Sequence, residues 1–195
     1  MRPPDTSPPV ALRGKVSKAG DRLVVEYELT NQRKQPIYVL DRMVNSNAAG
    51  LFLDPDLAYA LWEEPRTLRL VRATLQLPPD RNVNSKEIPY ARKVAPGETV
   101  QGRISLPAPV VEYSPFYLPT TELKEMRSED VRLLIGWTEE REGMVIQERA
   151  VGGKPALAVR GTWPAPYQEL AEAKWPLAVT VKVRQDNFDR RTPQQ

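Results

Sequence analysis

The chain has 195 residues, enough for one well-filled core and within the range of a single all-β domain. It contains no histidine and no cysteine, so the commonest general base, the softest nucleophile and the two commonest zinc ligands are missing. Its 28 basic residues are nearly balanced by 25 acidic ones, which argues against a nucleic-acid-binding face. We therefore expect a folded protein without a cofactor, a metal or a nucleic-acid partner.

Proline usage favours β-structure. The 20 prolines are about twice the usual ~5% share, and proline is tolerated at strand ends, sheet edges and loops better than inside helices. The sequence predicts a disordered proline-rich arm over residues 1–9, one domain over 10–184 and a polar tail over 185–195. The start lacks the apolar run of a signal peptide, and no segment approaches the roughly 18 apolar residues of a membrane span. We expect a soluble protein and favour the cytoplasm.

The sequence of the first half of the chain predicts short strands joined by turns. From Leu23 to Thr30, apolar and polar residues alternate, which is typical of an antiparallel strand with one wet face. Further strands are predicted at 10–16, 37–40 and 51–53, with a turn at 18–21 and a loop at 41–50.

Residues 57–62 and 67–77 are expected to form a hairpin. Its second arm changes parity, since Leu68 and Leu70 share one face whereas Leu75 and Leu77 share the other. A β-bulge near Val71 and Arg72 would keep one face buried, and a short helix is the alternative.

The second half of the chain continues the pattern and adds two short helices. A connection is predicted at 78–89, a turn at 95–98, and strands at 100–106, 131–137, 144–151, 156–159 and 177–183. Residues 110–119 are expected to form an irregular or edge segment, and helices are predicted at 120–128 and 166–174. About ten strands with no βαβ alternation predict an antiparallel β-sandwich.

Three segments share one succession of strands and turns. The run from Val24 through Thr30 and Asn31 is followed by the β-run 36–39 and later by residues 94–100, which contain the Pro-Gly-Glu turn of residues 96–98. This succession resembles that of bacterial immunoglobulin-like domains. The resemblance covers about half the chain and implies an immunoglobulin-like sandwich, although the two cysteines of antibody domains are absent. It implies no particular activity, because such sandwiches serve unrelated roles.

Carboxylates remain the main candidates for chemistry. Asp54, Asp56, Glu63 and Glu64 are close enough in sequence to suggest a hydrolase pair, although acidic turn residues are commonplace. Asp54 and Asp56, and separately residues 186–189, supply some oxygen ligands for calcium but do not match an EF-hand. Gly152-Gly153-Lys154 lacks the spacing of a phosphate loop and predicts a turn.

Aromatic residues near strand ends and in proline-rich connections are the candidate binding residues. Most of the seven aromatics in such places are expected in the core, but some could form a sugar platform or a protein-docking loop. The candidates are Trp62, Tyr113, Phe116, Tyr117, Trp163 and Trp175.

The sequence predicts a non-catalytic subunit that binds another protein or a second copy of itself through loops and strand edges. A carbohydrate-binding or cell-envelope module that uses Trp62, Trp163 or Trp175 is the alternative. A carboxylate-dependent hydrolase is a third hypothesis.

Overall fold

The structure is a computed structural model that describes residues 8–75, 89–116, 122–160 and 168–185. Its secondary-structure elements in these ranges are strands, and no helix is present there. Their bounds are β1 Val10–Ala19, β2 Arg22–Asn31, β3 Ile37–Arg42, β4 Val44–Asn47, β5 Gly50–Leu53, β6 Tyr59–Glu63, β7 Thr67–Arg72, β8 Tyr90–Val94, β9 Thr99–Pro107, β10 Val110–Val111, β11 Leu123–Arg127, β12 Asp130–Glu139, β13 Val145–Val151, β14 Lys154–Arg160, β15 Glu169–Pro176 and β16 Thr180–Arg184.

The strands form open, mostly antiparallel sheets. One sheet has the order β1-β2-β9, and a larger one has the order β13-β14-β8-β3-β12-β7-β6 with β15 paired to β12. A third sheet has the order β10-β16-β11, and β4 and β5 form a separate hairpin. Only the β7–β12 and β10–β16 ladders are parallel among the described pairings.

The alternation predicted for β2 is confirmed. The side chains of Leu23, Val25, Tyr27 and Leu29 are buried in the main core, whereas those of Glu26 and Glu28 are exposed. The same core receives side chains from the sheets of β9, β12 and β16, including the fully buried Trp137. Apolar faces of three sheets therefore share one hydrophobic core.

The predicted bulge in β7 is wrong, although the hairpin of β6 and β7 is confirmed. The register of β7 runs without a shift against both β6 and β12. Leu68 and Leu70 enter the main core, while Val71 and Ala73 belong to a second apolar cluster with Leu134. The change of parity in the sequence occurs because both faces of this strand are covered.

The two predicted helices are wrong in the described residues. Residues 123–127 form β11 against β16, and residues 169–176 form β15 against β12. Both segments contain good helix formers, but hydrogen bonding to a distant strand outweighs so weak a local preference. Residues 120–121 and 166–167 of these predictions lie outside the described ranges. The predicted loop at 41–50 is also wrong, because this segment contains the end of β3 and all of β4.

Two of the three segments that carry the sequence resemblance, 24–31 and 94–100, contact each other. The backbone N–H of Asn31 donates to the carbonyl of Glu98 at 3.0 Å, and its fully buried side-chain amide donates to the carbonyls of Val94 and Gln35. The Glu98 carboxylate accepts the N–H of Ala95 at 2.7 Å. These residues hold the end of the β2–β9 ladder together, so their role is structural.

Candidate functional site

The candidate aromatic residues are distributed between core and surface. Trp62 is only 2% exposed, and its indole N–H donates to Glu64 at 2.8 Å. Tyr113 is 44% exposed and its ring centroid lies 6.2 Å from that of the buried Tyr59. Phe116 is half-buried.

Trp175 is also half-buried, and its indole N–H donates to the carbonyl of Gly14 at 3.1 Å. Tyr117 and Trp163 lie outside the described residues. The two described tryptophans of the carbohydrate hypothesis therefore do not present open, unbonded rings at the surface.

The acidic residues considered for hydrolysis are held by individual partners. Glu63 pairs with both Arg69 and Arg132, at 3.3 and 3.1 Å. Asp54 accepts hydrogen bonds from the side-chain amide of Asn45 and from the backbone of Asp56. These contacts stabilise the local structure.

The described residues contain neither a cluster of metal ligands nor a membrane-crossing helix. No group of three or more acidic, histidine or cysteine side chains in those ranges could hold a metal ion. No helix there is long and apolar enough to cross a membrane.

A buried polar cluster joins the β1-β2-β9 sheet to the eight-stranded sheet. It consists of Tyr27 in β2, Asp41 in β3, Arg72 at the end of β7 and Arg92 in β8. The Tyr27 hydroxyl donates to Asp41 at 2.9 Å and accepts from Arg72 at 3.0 Å, and Arg92 pairs with the same Asp41 oxygen. Arg72 also donates to the carbonyls of Leu57, Pro55 and Arg103. None of its members was predicted to belong to a site, because they come from four distant segments.

Burial raises the pKa of Tyr27 to about 12, since a phenolate there would lose hydration and face the Asp41 carboxylate. The unfolded chain releases the Tyr27 proton near pH 10, whereas the folded chain keeps it up to about pH 12. The contribution of Tyr27 to the free energy of unfolding is therefore complete below pH 10 and is lost as the pH rises from 10 to about 12. We expect a loss of about 2–3 kcal/mol in the free energy of unfolding over that window, measured by urea titration. In Tyr27→Phe this part of the alkaline loss should be absent, and an identical pH dependence in both proteins would contradict the assignment.

The strongest candidate for a binding site is a cleft between the edges of β1 and β15. It has a volume of about 470 Å³ and is lined by residues 8–13 and by residues 169–172, together with Gln32 and Trp137. Neither strand has a ladder partner on the side that faces the cleft in the described chain, because β1 pairs only with β2 and β15 only with β12. The bond from Trp175 to Gly14 lies next to the lined segment of β1.

The backbone of β1 points hydrogen-bonding groups into this cleft. Asn31 directs its N–H and carbonyl towards residues 97 and 98, whereas Gln32 donates to Pro9 on the β1 side. Because successive residues of an antiparallel ladder alternate in direction, Ala11 and Arg13 bond to β2 while Val10, Leu12 and Gly14 turn their backbone groups away from it. The Gly14 carbonyl does face away from β2, as its bond with Trp175 requires.

Exposed apolar side chains are concentrated on sheet edges. Leu170 in β15 is 51% exposed and Val145 in β13 is 58% exposed, and both strands are at sheet edges in the described structure. Leu51 in the β4–β5 hairpin and Val111 in the edge strand β10 are also exposed. Free strand edges with apolar side chains are favourable sites for pairing with another chain.

The sequence contained a signal for the β15 edge that a helix prediction obscured. Ala171, Ala173 and Trp175 share one parity and Glu172 and Lys174 share the other, which is the period of a strand.

Comparison of the chain with models of protein families, with curated proteins and with solved structures finds no match, so no family is identified.

Proposed function

We propose that this protein is a non-catalytic binding subunit that holds an extended segment of a partner protein in the cleft between β1 and β15. The segment would add to β1 as an additional strand at residues 10–12, short of the point where Trp175 of β15 bonds to Gly14. Its backbone would bond to the outward-facing groups of Val10 and Leu12. Main-chain hydrogen bonds supply affinity in this mode of recognition, and side chains beside the edge supply specificity. The observation that carries the proposal is that these free backbone groups and the exposed Leu170 border the same cleft.

We also propose that the sheets are arranged as an immunoglobulin-like sandwich. The packing of β2 and β9 against β3 and β12 through one core supports this arrangement, as does the contact between the Asn31 and Glu98 segments. An experimental structure in which the β1-β2-β9 sheet does not pack face to face on the larger sheet would refute it.

Leu170→Glu is the variant that tests the binding proposal. A charged side chain on the wall of the cleft should reduce recovery of the partner about tenfold or more, because loss of a central apolar anchor typically costs at least ~2 kcal/mol of binding. The chain is used to capture proteins from its source cells under gentle cross-linking, and recovery is quantified by mass spectrometry. Val145→Glu is the matched control, since it places the same charge at an equally exposed apolar residue of another edge strand.

Hydrogen exchange on the captured complex locates the contact. The amides of Val10 and Leu12 should exchange rapidly in the free chain and become protected in the complex. Equal losses in Leu170→Glu and Val145→Glu, or unchanged exchange at both amides, would overturn the proposal. A dimer in sedimentation that Leu170→Glu dissociates would identify a second copy as the partner.

A further inference from the structure

A second cleft, distinct from the one between β1 and β15, lies above the buried polar cluster. Its volume is about 160 Å³, smaller than the usual 300–1,000 Å³ of pockets for organic ligands. Five cationic side chains and two carboxylates line it. The cationic residues are Arg42, Arg72, Arg92, Arg103 and Lys154.

The buried cations of this cleft have structural partners, whereas two of the exposed cations at its rim have no carboxylate partner in the described part of the chain. Arg72 and Arg92 are bonded to Tyr27, Asp41 and backbone carbonyls. The exposed Arg42 and Lys154 take part in no ion pair in the described part of the chain.

The carboxylates of the lining, Asp41 and Asp54, offset only part of the positive charge. Arg103 is near Glu26, which Lys15 already neutralises at 2.8 Å. Asp41 pairs with Arg92, and among the described residues neither the Nε of Arg92 nor the Oδ1 of Asp41 has a hydrogen-bond partner. Asp54 carries the second negative charge of the lining and accepts from the amides of Asn45 and Asp56. Positive charge therefore exceeds negative charge around a small space.

We propose that this cleft binds a phosphate-sized oxyanion. Clustered like charges repel one another, and a bound anion removes that repulsion. Arginine side chains are suited to the task because their planar forks donate two parallel hydrogen bonds to tetrahedral or planar oxyanions. Arg42, Arg103 and Lys154 supply these donors at the rim, while the buried cluster fixes the floor beneath them. A group of this size is a free anion or the terminal phosphate of a larger molecule.

An NMR titration with sodium phosphate, at ionic strength held constant with sodium chloride, tests the proposal. We expect saturable shifts of the Gly102 and Arg103 amides, which line the cleft. In the double variant Arg42→Gln with Lys154→Gln, the Kd should rise about tenfold or more, because charge-assisted hydrogen bonds to the anion are lost. A parallel titration with glycerol phosphate identifies the source, since the tighter of the two ligands indicates a free ion or an esterified phosphate.

A matched double variant separates a site from general salt effects. Arg127→Gln with Lys34→Gln removes the same net charge from exposed residues that do not line the cleft, and should leave the Kd unchanged. All four substituted residues are exposed, so both proteins are expected to fold. Shifts that chloride reproduces, shifts that never saturate, or equal weakening in the two double variants would overturn the proposal.

Discussion

Asp41→Ala is expected to lower the free energy of unfolding by about 3–5 kcal/mol, the usual cost of removing one partner from a buried ion pair. Asp41 is 5% exposed, and one of its oxygens accepts from both Tyr27 and Arg92. Without that carboxylate, Arg92 loses its counter-ion and the buried Tyr27 hydroxyl loses its acceptor. Urea or thermal unfolding monitored by circular dichroism measures the loss.

Asp54→Ala is the matched control, because Asp54 lines the same small cleft but is half-buried and bonded to amides. Its loss should cost about 1 kcal/mol, the net value of ordinary hydrogen bonds. Asp41→Asn should fall between the two, since it keeps the shape and an acceptor while removing the charge. A cost for Asp41→Ala no larger than that for Asp54→Ala would show that the cluster does not hold the sheets together.

Gly102→Ala is expected to destabilise the protein by about 2–4 kcal/mol through overpacking and broken hydrogen bonds. A Cβ at Gly102 would lie 2.1 Å from Cζ of the Tyr27 ring and 2.2 Å from its hydroxyl oxygen. The ring cannot yield freely, because it is 2% exposed and its hydroxyl is bonded to Asp41 and Arg72. Displacing the ring therefore breaks those bonds.

A double-mutant cycle with Tyr27→Leu isolates the steric part of this effect. Once the ring is absent, the added methyl group should cost much less, so the two substitutions should be strongly non-additive. Gly20→Ala provides a comparison, since a Cβ there meets nothing within 4 Å and the cost comes only from its φ of +61°. Additive effects of Gly102→Ala and Tyr27→Leu would contradict the proposed contact.

Local patterns predicted the strands that have one buried face. The alternation in β2 and the hairpin of β6 and β7 are visible within ten residues, because side-chain direction in a strand follows directly from position. The same rule misled where both faces are covered, as at Val71, where a change of parity indicated a bulge. The missed edge strands β11 and β15 contain residues that favour helices in isolation.

The amino-acid sequence by itself determined that the chain is built largely of short strands and that it contains no histidine and no cysteine. Only the tertiary structure decided which edges remain free and which charges meet. Tyr27, Asp41, Arg72 and Arg92 are separated by up to 65 positions, yet they share one hydrogen-bonded cluster. The physical reason is that strand pairing and burial join residues that are distant in sequence. The local propensity of a residue contributes a few tenths of a kcal/mol, whereas burial of its charge or side chain changes the free energy by several kcal/mol.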